Sequence, residues 1–129
     1  MISRRSRANK PAVSTKPLVR FRMRVHRGET VAIGPGKIAL LEAIRTHGSI
    51  SAAARSLDMS YRRAWLLVNE LNSSLKSPAT VSEQGGQSGG GCLLTDVGEE
   101  IVRLYREIES VAEASCATQI AGLTKLMRP

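Results

Sequence analysis

The stretch from Gly48 to Leu75, GSISAAARSLDMSYRRAWLLVNELNSSL, constrains this chain most. It reads as two helices joined by a tight turn. The first, Ser51 to Leu57, is short and built of small residues. Ser51 is its expected N-cap, because a serine hydroxyl can accept from the free N–H groups of a first turn. Ala52, Ala53 and Ala54 are strong helix formers with little bulk, so another helix can cross them closely. Asp58-Met59 makes the turn, and Ser60 caps a second helix that runs to about Leu75. Ala64, Leu67, Val68, Leu71 and Leu75 recur at helical spacing as one buried stripe. Trp65 lies one position off that stripe and is expected to pack in the core or between helices. Tyr61, Arg62 and Arg63 occupy the opening turn. Helix pairs of this kind occur in many proteins that never touch nucleic acid. Two arginines and a tyrosine at this place favour DNA, because the start of the second helix of a DNA-binding helix-turn-helix enters the major groove.

Charge is distributed unevenly. The chain has 129 residues and a net charge of +8. Residues 1–28 hold nine basic side chains and no acid, while the rest has ten basic and eleven acidic residues, a balance of −1. The excess therefore belongs to the N-terminus; it favours a polyanion without locating a specific site. Aromatic residues make up only 3%, so a core must come from Leu, Ile, Val and Ala, which suits helices. The length allows one modest core.

Cys92 and Cys116 form no CxxC motif and do not cluster with His26 or His47. A reducing compartment, a cytoplasmic location and no metal site are expected. No apolar run is long enough to span a bilayer, and none follows the basic N-terminus as a secretory signal requires. An arginine- and serine-rich start also resembles an organelle transit peptide, but no amphipathic helix accompanies it.

Residues 1–17 are polar, basic and proline-bearing, and read as a disordered tail or an arm along a phosphate backbone. From Leu18 to His26 the chain alternates. Val19, Phe21, Met23 and Val25 point one way and Arg20, Arg22 and Arg24 the other, as in a half-buried strand. Its arginine row reads as a solvated face or an edge guard. Val31 and Ile33 extend or follow this strand after a turn at Arg27-Gly28. Pro35 suits a first helical position. Ile38, Leu40, Leu41 and Ile44 then mark a buried helix face, and Gly48 is placed to end that helix in the left-handed region.

After Ser77-Pro78, two β-prone runs (Thr80–Ser82 and Cys92–Leu94) flank the glycine-rich residues 83–91. A hairpin, a flexible linker and a phosphate-cradling loop all fit that composition. The phosphate reading lacks a GKS/GKT triplet and a βαβ setting. Gln84, Gln87 and Ser88 leave the tip uncharged, so its main-chain N–H groups could approach a phosphate backbone. Thr95 then caps a helix to about Ser115, with Asp96, Glu99 and Glu100 where its dipole favours acids. Ile101, Leu104, Tyr105, Ile108, Val111 and Ala112 form a stripe near heptad spacing that invites a partner helix. Residues 96–113 carry a charge of −4 and should face away from DNA. Ile120 and Leu123 extend this helix, with a break at Gly122, before a tail over 123–129.

In combination, the segments SISAAAR, MSYRRAW and GGGxxLT, within GPGKIALLEAIRTHGSISAAARSLDMSYRRAWLLVNELN and LTDVGEEIVRLYREIE, resemble the N-terminal DNA-binding domain of the ModE family of molybdate-dependent regulators. That domain is related to the winged helix-turn-helix of the LysR family, and the likeness runs from about Arg20 to Glu113. It implies a mainly α fold over residues 18–122: a winged helix-turn-helix with a short N-terminal strand, a β-hairpin wing and a long dimerisation helix over 95–115. It implies a homodimer that binds a near-palindromic operator. The DNA-binding set is then Ser60, Tyr61, Arg62 and Arg63 on the recognition helix, Ser51 on the helix before it, and Gln84, Gln87 and Ser88 on the wing. The N-terminal strand and last helix would build the dimer, through Ile101, Leu104, Tyr105, Ile108 and Val111. The family's turn usually holds Gly where this chain has Asp58, a residue that tolerates the left-handed region. ModE proper also carries C-terminal molybdate-binding domains. This chain ends a few residues after its last helix, so no such domain and no cofactor are expected.

No paired acid and base and no nucleophile motif stand out, so no enzyme is expected. The alternative to a DNA-binding regulator is a winged-helix interaction module that pairs with a separate effector-sensing protein.

Overall fold

A computed structural model describes residues 14–86 and 89–129, with the side chains of residues 84–89 left aside. The expectations for residues 1–13, for Gln87 and Ser88, and for the side chain of Gln84 lie outside what is described. Residues Phe21–Ala114 form one compact unit; Ser115–Pro129 and the segment ending at Arg20 form another.

The first unit opens with an antiparallel hairpin, β1 (Val25–Arg27) and β2 (Thr30–Ile33), turned at Gly28 with φ +62°. Three helices follow: α1 (Pro35–His47), α2 (Ile50–Ser56) and α3 (Tyr61–Ser73). A second antiparallel hairpin, β3 (Thr80–Gly86) and β4 (Gly89–Leu94), leads into the long α4 (Asp96–Ser115). The order is that of a winged helix-turn-helix, with β3–β4 as the wing. The glycine-rich segment is thus a hairpin, not a linker or a phosphate cradle, because its flanks pair from Thr80↔Leu94 to Gly86↔Gly89.

Helix α1 is the centre of the core. Ile38, Leu40, Leu41 and Ile44 are all at most 1% exposed. Leu40 and Ile44 pack with Ala53, Ala54, Ala64, Val68 and Cys92, while Leu41 packs with Leu71, Ala79 and Val102. Burying each such Leu or Ile contributes about 1.5–3 kcal/mol. The helix starts at Pro35 and ends on Gly48, whose φ of +80° is the left-handed stop the sequence predicts. Two exposed ion pairs join α1 to α4, Arg45–Glu99 and Arg106–Glu42, both at 2.7 Å. Pairs this exposed add little stability.

Four expectations change. Val25–Arg27 is the N-terminal strand; residues 18–24 join no ladder among the described residues. Phe21 and Met23 are half-buried and Arg22 and Arg24 exposed, as alternation requires. A register shift between Val25 and His26 breaks the pattern and leaves Val25 44% exposed. Second, Ser49 and not Ser51 caps α2: its hydroxyl accepts from the Ala52 N–H at 3.1 Å. Ile50 packs against the core, which draws the helix start forward and leaves Ser51 inside the first turn. Third, Trp65 is 45% exposed, because it sits about 100° round the helix from Ala64, beyond the buried stripe. Fourth, α4 stops at Ser115 and a separate helix, α5 (Ala117–Thr124), follows; the break falls at Cys116, and Gly122 lies within α5.

Candidate nucleic-acid interface

The turn between α2 and α3 is built locally. The Leu57 N–H donates to the Ala53 and Ala54 carbonyls and the Met59 N–H to Ala54. Asp58 between them adopts φ +59°, the positive value a short turn into a second helix needs. Ser60 then accepts from the Arg63 N–H at 3.1 Å, as expected of its cap. Ala53, Ala54 and Ala64 are all at most 1% exposed, so no side chain bulk keeps α2 from α3. The result presents Ser60, Tyr61, Arg62 and Arg63 together at the surface, with Tyr61 56% exposed. Ser51 is half-buried in the first turn of α2.

Side chains distant in sequence hold the C-terminal part of α3. Lys37, 5% exposed, donates to the Val31 carbonyl and to Glu70 Oε1, the latter at 2.6 Å, and so ties β2 and α1 to α3. Two residues on, Asn72 Oδ1 accepts from the Ala79 N–H at 2.8 Å and Nδ2 donates to Thr80 Oγ1 at 3.1 Å. This pair of bonds ties the end of α3 to the start of the wing. The Cys92 N–H donates to the Gly48 carbonyl at 2.8 Å and pins β4 to the loop before α2. Cys92 itself is buried, and burial pushes its thiol up, which makes it a poor nucleophile at neutral pH.

The base of the wing rests on α4. Thr95 caps α4, accepting from the Gly98 N–H at 3.1 Å, and its own N–H and hydroxyl donate to Ala79 and Pro78 carbonyls at 2.9 and 2.7 Å. A Cβ on Gly98 would fall well inside 3.0 Å of the Ala79 carbonyl oxygen. Only glycine lets helix and wing approach so closely.

The expected dimerisation stripe on α4 divides. Tyr105 is 2% exposed and turned into its own chain, where its hydroxyl donates to the Met23 carbonyl at 2.8 Å. Val102 is buried beside it, and Ile101 is half-buried. Leu104, Ile108 and Val111 remain 44%, 45% and 56% exposed at 4,3 spacing. The structure thus brings these three together on an open face and withdraws Tyr105 from it.

Sequence reasoning missed Ser49, Lys37, Asn72 and Gly98. A glycine in the first turn of an acidic helix, where alanine would favour the helix by about 1 kcal/mol, was a visible signal of close approach. The Lys37 and Asn72 partners lie in other elements and leave no local pattern. Among the described residues, no group of three His, Cys, Asp or Glu could hold a metal ion, and no helix is long and apolar enough to cross a membrane.

No family model matches the chain. Curated relatives do. Over 78 residues it is 44% identical to the molybdenum-pterin-binding protein MopB of Rhodobacter capsulatus, covering 60% of this chain and 29% of that protein. Over 112 residues it is 33% identical to MopA of the same organism, covering 87% and 42%. Over 71 residues it is 38% identical to the DNA-binding transcriptional dual regulator ModE of Escherichia coli K12, covering 55% and 27%. The chain carries a ModE-like region. It spans less than half the length of each of these relatives. Among solved structures, ArgP from Mycobacterium tuberculosis aligns with a TM-score of 0.49 and 21% identity, over 67% of this chain and 30% of that one. Within the ModE-like region, α2, the turn and α3 present cationic and hydrogen-bonding groups around one helix start.

Proposed function

We propose that this chain is a sequence-specific DNA-binding transcriptional regulator, acting in the cytoplasm as a homodimer on a near-palindromic operator. The observation that carries the reading is the start of α3. Ser60, Tyr61, Arg62 and Arg63 stand exposed at the start of a helix that Ser60 caps and whose C-terminal part Lys37 and Asn72 hold. That is the placement a helix needs to lay its N-terminal side chains in a major groove. Relatives named as ModE regulators support the same role. Two copies paired through Leu104, Ile108 and Val111 would set recognition helices about 34 Å apart, one turn of duplex. The acids of α4 would then lie away from the phosphates.

The test is selection from fragmented genomic DNA at near-physiological salt, followed by sequencing. Enrichment of one near-palindromic sequence is expected. Arg62→Ala and Arg63→Ala should weaken binding to it without unfolding the domain; wild-type affinity in both variants would refute the assignment. Uniform retention of all fragments, lost steeply with salt, would mean backbone binding only.

The open face of α4 also suits a second reading, a module that pairs with a separate effector-sensing protein. Purified protein that runs as a homodimer and captures no stable partner from extract would count against it.

A further inference from the structure

The outward face of α3 carries a row that the residues at its start only begin. At about 100° per residue, Arg62, Leu66 and Asn69 fall within about 60° of one another, opposite the buried Ala64, Val68 and Leu71. All three are exposed, Leu66 by 48%. Arg63 lies about 100° further round, on the flank shared with half-buried Leu67 and with Glu70. Glu70 is the one acid within α3, and Lys37 engages it at 2.6 Å. Glu70, the residue after Asn69, is thus paired with a cation on α1, and Arg62, Leu66 and Asn69 themselves carry no negative charge.

We propose that Arg62, Leu66 and Asn69 are the base-reading row of α3, and that Arg63 contacts phosphate. The proposal rests on the DNA-binding reading and deepens it. The chemistry of each side chain names its target in the major groove. Arginine pairs with guanine O6 and N7, leucine packs on the thymine methyl, and asparagine pairs with adenine N6 and N7. At 1.5 Å of rise per residue, Arg62 and Asn69 stand about 10 Å apart along the axis. That matches about three base steps of 3.4 Å. The half-site should therefore contain guanine, thymine and adenine within about four base pairs, in the order that the row runs.

The test selects randomised DNA duplexes with wild-type protein and with Arg62→Ala, Leu66→Ala, Asn69→Ala and Arg63→Ala, each checked for folding by thermal melting. Each of the first three should lose preference at one position, a different one each time. Discrimination there should drop from roughly 5- to 150-fold to near none for Arg62 and Asn69, and less for Leu66. Arg63→Ala should keep the consensus, bind all duplexes more weakly, and lower the salt slope by about 1. If wild type selects a consensus but Leu66→Ala and Asn69→Ala select the same one with unchanged preferences, the row does not read bases and the proposal fails alone. If wild type enriches no sequence, the DNA-binding reading fails and the row with it.

Discussion

Gly98→Ala tests the packing that sets the wing against α4. In an isolated helix the change would stabilise by about 1 kcal/mol. Here the new methyl would meet the Ala79 carbonyl, part of the backbone and bonded to the Thr95 N–H at 2.9 Å. Backbone cannot rotate aside as a side chain does. An unstrained carbon–oxygen contact is about 3.3 Å, so helix and wing must part by roughly 1 Å. Overpacking of this kind costs up to about 3 kcal/mol. Disturbing the Thr95 bond costs about 1 kcal/mol more. The net expectation is a loss of about 3 kcal/mol. Urea unfolding followed by circular dichroism should show a midpoint lower by roughly 1–3 M at the usual slopes. Ser110→Ala, exposed on the same helix, should move it by a few tenths of a kcal/mol only. A Gly98→Ala midpoint at or above wild type would refute the argument, since helix propensity would then outweigh the contact.

Three further outcomes are expected. Asn72→Ala leaves the Ala79 N–H, on a residue 0% exposed, without its acceptor; it should cost about 1–3 kcal/mol in urea unfolding, and an unchanged midpoint would count against that bond. Tyr105→Phe removes the bond to Met23 at 2.8 Å and should cost about 0.5–1.5 kcal/mol, with faster amide exchange near Met23 as the second readout; no change in either would remove its role as an anchor. The hydrogen bond from Arg106 holds the Glu42 carboxyl below its ordinary 4.5, against the opposing effect of burial. Because the folded value is the lower, Glu42 stabilises above about pH 4.5, and that contribution fades as pH falls through the folded value. The gap in melting temperature between wild type and Glu42→Gln should narrow as pH drops from 7 to 3; a constant gap would contradict the linkage.

Much of the α1–α3 unit was legible because its determinants are local. Gly48 ends α1, Asp58 turns the chain, Ser60 caps α3, and the Ala64–Val68–Leu71 stripe chooses the buried face. Each depends on residues within a turn or two of one another, which periodicity and capping chemistry report directly. Where local rules were ambiguous, reading failed: Ser51 is the cap the sequence suggests, but the packing of Ile50 gives that place to Ser49.

What the sequence determined alone was the order of helices α1 to α4, the cationic start of α3 and the acidic character of α4. Tertiary structure decided which of two adjacent stripes on α4 is covered, so that Tyr105 turns inward and Leu104, Ile108 and Val111 stay open. It decided that Trp65 is exposed, that Lys37 pairs with Glu70, and that Gly98 lies against Ala79. These facts share one physical reason. A side chain's period says which neighbours share its face, but what covers that face depends on chain segments tens of residues away, which only the folded arrangement brings near.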